Sequence, residues 1–166
     1  LDYSKLDAGR VELESLAFEP RVEARVVVEM MRGAAQARGN VLTLNVEPSM
    51  PRALRSDPGR IRQVLLNLYS NAVKFTDTGS ITLSVSEGPE GVRLSLTDTG
   101  KGIDSRFHEA IFEEFKQAEN IGRDPRSGAG LGLAICRHLL GLMGGRIWVE
   151  GRGGPGSRFC IALPAG

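Results

Sequence analysis

The sequence predicts an α+β domain, a two-layer sandwich in which three helices cover one face of a mixed sheet. Three observations carry this reading. Segments with apolar residues at helical spacing alternate with short runs in which every second residue is apolar. Turn residues separate two pairs of such runs late in the chain, which points to hairpins. A length of 166 residues suits one domain with one sizeable core.

Taken in order, residues 1–8 resemble the end of a helix, with Gly9 where a C-terminal cap belongs. Arg10 to Phe18 alternates and reads as a short strand. Pro20 opens a helix at its first turn, where its missing N–H is not needed. Val22, Val26, Met30 and Ala34 recur four apart along it, and it ends before Gly39. Val41 to Val46 forms the next strand. Asp57-Pro58 is an N-cap acceptor followed by a first-turn proline, so a helix runs from there to about Phe75. Ser80–Ser86 and Val92–Thr97 form a hairpin across Gly88-Pro89-Glu90-Gly91. Asp98 to Ala129 is a long stretch with one helical piece around His108–Phe115, and a stretch of that length is a functional loop or a mobile one. A helix over about Leu131 to Met143 and strands Arg146–Glu150 and Ser157–Leu163 complete the chain.

Bulk composition narrows the function classes. Hydrophobic residues are 41% and charged residues 25%, values of an ordinary globular protein. A net charge of +1 offers no electrostatic case for nucleic acid or an anionic membrane surface. With aromatic residues at 5%, the core must be mainly Leu, Val and Ile. Cys136 and Cys160 have no zinc-ligand spacing and read as buried free thiols in a reducing compartment. No apolar run approaches the roughly 18 residues of a membrane span.

Four clusters carry chemistry. On the helix over 58–75, Asn67, Asn71 and Lys74 fall on one stripe beside the apolar face, since spacings of four and three are near whole turns. A solvated face would account for them, but Asn is a poor choice inside a helix, and Glu, Lys or Gln would serve better. The alternative is a neutral oxygen ligand for Mg²⁺ and a cation for phosphate; Mg²⁺ keeps several waters and needs few protein ligands. Asp98, in Asp98-Thr99-Gly100-Lys101-Gly102-Ile103-Asp104, ends an apolar strand, where an unpaired carboxylate is costly to bury. It either caps local N–H groups or accepts a hydrogen bond from the amino group of adenine. The second option rejects guanine, a discrimination of roughly 10⁴ for mismatches of this kind. Gly128-Ala129-Gly130-Leu131-Gly132-Leu133 runs into a helix N-terminus, a ready anion site, although a Gly-x-Gly-x-Gly string alone is weak evidence. Its spacing is neither a dinucleotide fingerprint nor a P-loop. Phe112 and Phe115, three apart, either staple the long loop or hinge it over a nucleotide.

In this order the clusters are specific. Residues 67–76 resemble the N box of sensor histidine kinases, residues 98–103 their first glycine box, Phe112 to Phe115 the F box, and residues 128–133 the second glycine box. The resemblance runs over about residues 1–164 and is closest to hybrid-type kinases. It implies the Bergerat ATP-binding fold of the GHKL superfamily, with a mixed five-stranded sheet. It also implies that residues 1–9 are the tail of a preceding dimerisation helix and 10–166 the ATP-binding catalytic domain. By position, Asn71 would bind Mg²⁺ with Asn67 beside it, and Lys74 would contact phosphate. Asp98 would meet the adenine amino group; Gly100, Gly102, Ile103 and Phe75 would shape the base pocket. Gly128, Gly130, Leu131 and Gly132 would wrap the triphosphate, with Phe115 at the base of that lid.

Two positions depart from the family pattern: Ser127 stands where Gly is usual, and Ala129 where Thr is frequent. Topoisomerase-type relatives place Glu at position 67 to activate water, which Asn67 cannot do. The resemblance therefore implies transfer of the γ-phosphoryl group of Mg-ATP to a histidine rather than to water. Neither His108, read as an exposed loop residue, nor His138, read as surface or partner-facing, has the helical context of an acceptor. The resemblance implies that the acceptor belongs to a separate dimerisation domain and that a response regulator receiver domain is the downstream partner. The parent is expected to be a homodimer and this chain a monomer, on the cytoplasmic side. A true ATPase and a non-catalytic nucleotide-binding module are the alternatives.

Overall fold

The computed structural model describes residues 12–113, 132–151 and 155–165. Three helices occur among them: α1 (Pro20–Ala37), α2 (Pro58–Phe75) and α3 (Gly132–Leu142). The strands are β1 (Leu16–Phe18), β2 (Val41–Val46), β3 (Leu54–Ser56), β4 (Ser80–Gly88), β5 (Gly91–Asp98), β6 (Arg146–Gly151) and β7 (Ser157–Leu163). Five form one mixed sheet, as expected, and their order is β2-β4-β5-β7-β6. The β2–β4 pair is parallel and joined through α2, whereas the other neighbours are antiparallel.

Alternation sets the layers. Ile81, Leu83 and Val85 on β4, with Val92, Leu94 and Leu96 on β5, are buried, and the residues between them are partly exposed. The buried face packs against α2 and α3 through Val64, Leu65, Leu68, Leu139 and Leu140. The opposite face carries Ser84, Ser95, Arg93 and Trp148, with the Arg93 and Arg146 guanidinium groups 5.3 and 4.4 Å from the indole ring. Such a one-sided pattern is what an antiparallel sheet with helices on one face requires.

Asp57 caps α2 as its sequence implies: its Oδ1 accepts from Arg60 N at 3.1 Å, and Pro58 holds the first helical position. Several elements differ from expectation. The first strand covers only Leu16–Phe18; residues 12–15 are irregular, and residues 10–11 lie outside the described residues. β3 was not anticipated; it pairs antiparallel with β1 in a separate two-stranded sheet. A strand of three residues is too short to show a period, so pairing with β1 alone defines it. Over the described part of the helix expected around His108–Phe115, residues 108–113, the chain instead forms a 3-10 turn, Ala110–Phe112, preceded by another at Ser105–Phe107.

The apolar stripe of α1 also faces the other way. Val22 and Met30 are 46% and 56% exposed, while Ala24, Val27, Val28 and Ala35 are buried. Both sets have helical spacing, so period alone does not select the buried one; packing against α2 and β2 does. The tail helix expected over residues 1–9 lies outside the described residues.

Candidate functional site

The ends of α2, β5 and β7 converge on one cleft. It is lined by Asn71, Ala72 and Phe75 of α2, by Asp98 of β5, and by Lys101, Gly102 and Ile103 of the following loop. Ile111, Leu133, Ser157 and Phe159 complete it. Asp98 and Asn71, 27 places apart along the chain, therefore share one cavity, mostly apolar with a few convergent polar groups, as small-molecule sites usually are.

Asp98 continues the inward-facing row of Val92, Leu94 and Leu96, which takes its carboxylate to 5% exposure. Burying a carboxylate is tolerable only with donors supplied. Gly100 N donates to Oδ1 and Ser157 Oγ donates to Oδ2, each at 2.9 Å. Ser157 faces Asp98 across the β5–β7 ladder. Sequence reasoning missed it, although a signal existed: Ser157 heads an inward row with Phe159, Ile161 and Leu163, the mirror of Asp98 at the end of its own row.

The loop after Asp98 explains its glycines. A Cβ at Gly100 would strike the Phe75 carbonyl oxygen and come within 2.7 Å of Thr76 Oγ1. Gly102 has φ +78°, a left-handed conformation that favours glycine. Lys101 N donates to Phe75 O at 3.4 Å, and its ammonium lies 4.9 Å from the centre of the Phe75 ring. The Ile103 carbonyl lies 3.0 Å from His108 Nε2, so His108 is a half-buried support of the cleft wall, not the exposed loop residue expected. His138 is exposed on α3, as expected.

On α2 the predicted stripe splits. Asn71 is 8% exposed and lines the cleft. Asn67 is half-buried and turned to α3, its Nδ2 donating to Cys136 Sγ at 3.6 Å. Lys74 is half-buried and is not among the residues lining the cleft; its carbonyl accepts from Arg38 Nη2 at 3.0 Å. A 100° step places the three on one side of the helix, but of the three only Asn71 lines the cleft. Gly132 opens α3. Phe115, Gly128, Gly130 and Leu131, with Ser127 and Ala129, lie outside the described residues. Of the expected phenylalanine pair, Phe112 is buried and meets Phe159 edge to face at 6.1 Å, and its neighbour Ile111 lines the cleft.

Among the described residues no group of three His, Cys, Asp or Glu could hold a metal ion. The neutral oxygen of Asn71 remains as a ligand of the type Mg²⁺ accepts when phosphate oxygens and water supply the rest. No helix of the described residues is long and apolar enough to cross a membrane.

Comparison with known proteins agrees with this geometry. Over 169 residues the chain is 40% identical to the sensor protein GacS of Pseudomonas syringae pv. syringae, covering 98% of this chain and 18% of that protein. It is 36% identical over 164 residues to the sensor histidine kinase RcsC of Escherichia coli (strain K12), covering 99% and 17%. The chain thus spans less than a fifth of the length of these relatives. Full-length ShkA in complex with AMPPNP superposes with a TM-score of 0.87 at 37% identity, over 98% of this chain and 33% of that one. The nucleotide-free catalytic domain of the histidine kinase ThkA superposes with a TM-score of 0.77 at 27% identity, over 91% and 97%. Residues 56–166, which include α2 and every described residue lining the cleft, match one family throughout. The chain belongs to the histidine kinase-, DNA gyrase B- and HSP90-like ATPase family.

Proposed function

We propose that the chain is the ATP-binding catalytic domain of a sensor histidine kinase. It binds Mg-ATP and donates the γ-phosphoryl group to a histidine on a separate dimerisation domain. The observation that carries this reading is the Asp98 carboxylate, buried at the wall of the cleft and held by Gly100 N and Ser157 Oγ. A fixed carboxylate acceptor meets the exocyclic amino group of adenine and repels the carbonyl of guanine. Phe75, Gly102 and Ile103 wall the base, and Gly100 lets their loop close on the end of α2.

Asn71, at the same cleft, is the proposed Mg²⁺ ligand, with Asn67 beside it and Lys74 as the phosphate contact. Bound Mg²⁺ would neutralise charge on the phosphate oxygens. Gly128, Gly130, Leu131 and Gly132 are the proposed triphosphate wrap, with Phe115 at its base. The chain's own contribution is to bind, orient and exclude water; Asn67 has no basic group with which to activate a water molecule. That feature, and sensor kinases among the relatives, favour phosphotransfer over ATP hydrolysis. The remaining parts of the proposal follow the motif resemblance. They are a homodimeric parent, a tail of the dimerisation helix over residues 1–9, a response regulator receiver domain downstream and a cytoplasmic location. ThkA has been seen in complex with the response regulator TrrA.

Calorimetric titration with AMPPNP tests the reading. Asp98→Asn is expected to lower affinity by at least about 100-fold, with the circular dichroism spectrum unchanged. In the same titration Asn71→Ala is expected to remove the gain in affinity that Mg²⁺ gives over EDTA. Equal affinities for wild type and Asp98→Asn would refute the base-binding role.

A further inference from the structure

The turn between α1 and β2, Arg38-Gly39-Asn40, lies outside the cleft and outside every motif named above. Two of its side chains nevertheless reach the C-terminal end of α2. The last four carbonyls of a helix lack partners within the helix. α2 passes directly into an extended Thr76 (φ −124°, ψ 123°), without a left-handed glycine cap that would satisfy them. Side chains from the distant turn do so instead. Arg38 Nη2 donates to Lys74 O at 3.0 Å and pairs with Asp77 at 2.6 Å. Asn40, 4% exposed, donates through Nδ2 to Thr76 O at 2.7 Å and accepts through Oδ1 from Gly79 N at 2.9 Å. The carbonyl between these two, Phe75 O, accepts from Lys101 N, and Gly100 packs against it. Three successive carbonyls are thus held by three residues from two segments, and the middle one registers the loop that follows Asp98.

We propose that Asn40, with Arg38 beside it, is a positioning residue for the nucleotide cleft. By fixing the Phe75–Thr76 step from behind, it sets where the Asp98–Ile103 loop meets the base. Both ends of its amide are used, so a residue of the same shape that only accepts does not replace it. The inference rests on the nucleotide-binding reading above for its effect on affinity, but not for its effect on the loop.

Asn40→Asp tests it, because Asp keeps the shape and the acceptor facing Gly79 N and turns the donor facing Thr76 O into a charged acceptor. Two measurements are expected to change: AMPPNP affinity falls about tenfold by calorimetry, and the Lys101 amide exchanges with solvent about tenfold faster in the nucleotide-free chain. Val27→Ala, which opens a cavity in the core of α1, serves as the control and is expected to lower stability while leaving both readouts at wild-type values. Should Asn40→Asp not fold, Arg38→Ala, which removes the Lys74 bond, carries the same two expectations. Wild-type affinity and exchange in the folded variant, or equal losses in Val27→Ala, would overturn the proposal. If the wild-type chain takes up no AMPPNP, the proposed function fails, and Lys101 exchange alone decides the role of Asn40.

Discussion

A carboxylate at the head of an inward row, as at Asp98, survives burial because two donors meet it. Tyr69 is the opposite case. Its side chain is fully buried on α2, and its hydroxyl meets no hydrogen-bond partner among the described residues. Burial pushes its pKa up, with the positive charge of Arg32 acting against this. An unsatisfied buried hydroxyl costs free energy that its removal returns. Tyr69→Phe is therefore expected to leave stability unchanged or raise it by about 1 kcal/mol, read as the urea midpoint. A loss of that size would show that the hydroxyl has a bound water as partner. Residue identity did flag Asp98 from the sequence, since a charge closing an apolar run demands explanation. Nothing comparable flagged Tyr69, because tyrosine is at home in a core when its oxygen finds a partner.

At the scale of elements, α2 is the part on which the cleft depends, and its start is fixed by Asp57. Besides capping Arg60 N, the carboxylate accepts from Glu14 N at 2.9 Å, so one side chain ties the segment before β1 to the helix. Asp57→Ala is expected to cost about 1–2 kcal/mol, a little more than a simple cap, because the Glu14 N–H loses its partner as well. Equilibrium denaturation in urea measures it, and Asp57→Asn should recover only the part due to the Arg60 N cap, since its amide nitrogen cannot accept from Glu14 N. A change below about 0.3 kcal/mol would show that neither bond matters. The bounds of α2 were legible because Asp-Pro and the apolar period coincide. β3 was not legible, because three residues carry no period. The buried face of α1 was not legible either: Val22 and Met30 compete at the same spacing with Val27 and Val28.

For the whole molecule, one cluster of buried residues joins all three helices to the five-stranded sheet. A single core implies a single cooperative transition. Cys136 reports on it. The thiol is fully buried on α3, and burial pushes its pKa from the usual 9.0 up to about 12, with the hydrogen bond from Asn67 acting the other way. The fold favours the neutral thiol, so this contribution is intact below pH 9.0 and is lost as pH rises towards about 12. At pH 8, where alkylation needs a thiolate, iodoacetamide labelling of Cys136 is expected to follow global unfolding. Its urea midpoint should coincide with that of circular dichroism. Labelling at much lower urea would show α3 opening separately from the sheet.

The pairing of the 67–76 stretch with Asp98 rested on the resemblance of both to one family's motifs, whereas the sequence by itself determined the α+β class and the bounds of α2, β2 and α3. These are written in local period, caps and glycines, which act over a few residues. Which groups share the cleft was decided only by tertiary structure. Asn71 lines it, whereas Asn67 turns to Cys136 and the Lys74 carbonyl is held by Arg38. Ser157 and Asn40 acquired their partners only when strands paired and a distant turn met a helix end. Hydrogen bonds between residues tens of positions apart depend on register and on the depth of each layer, and neither leaves a periodic trace in the chain.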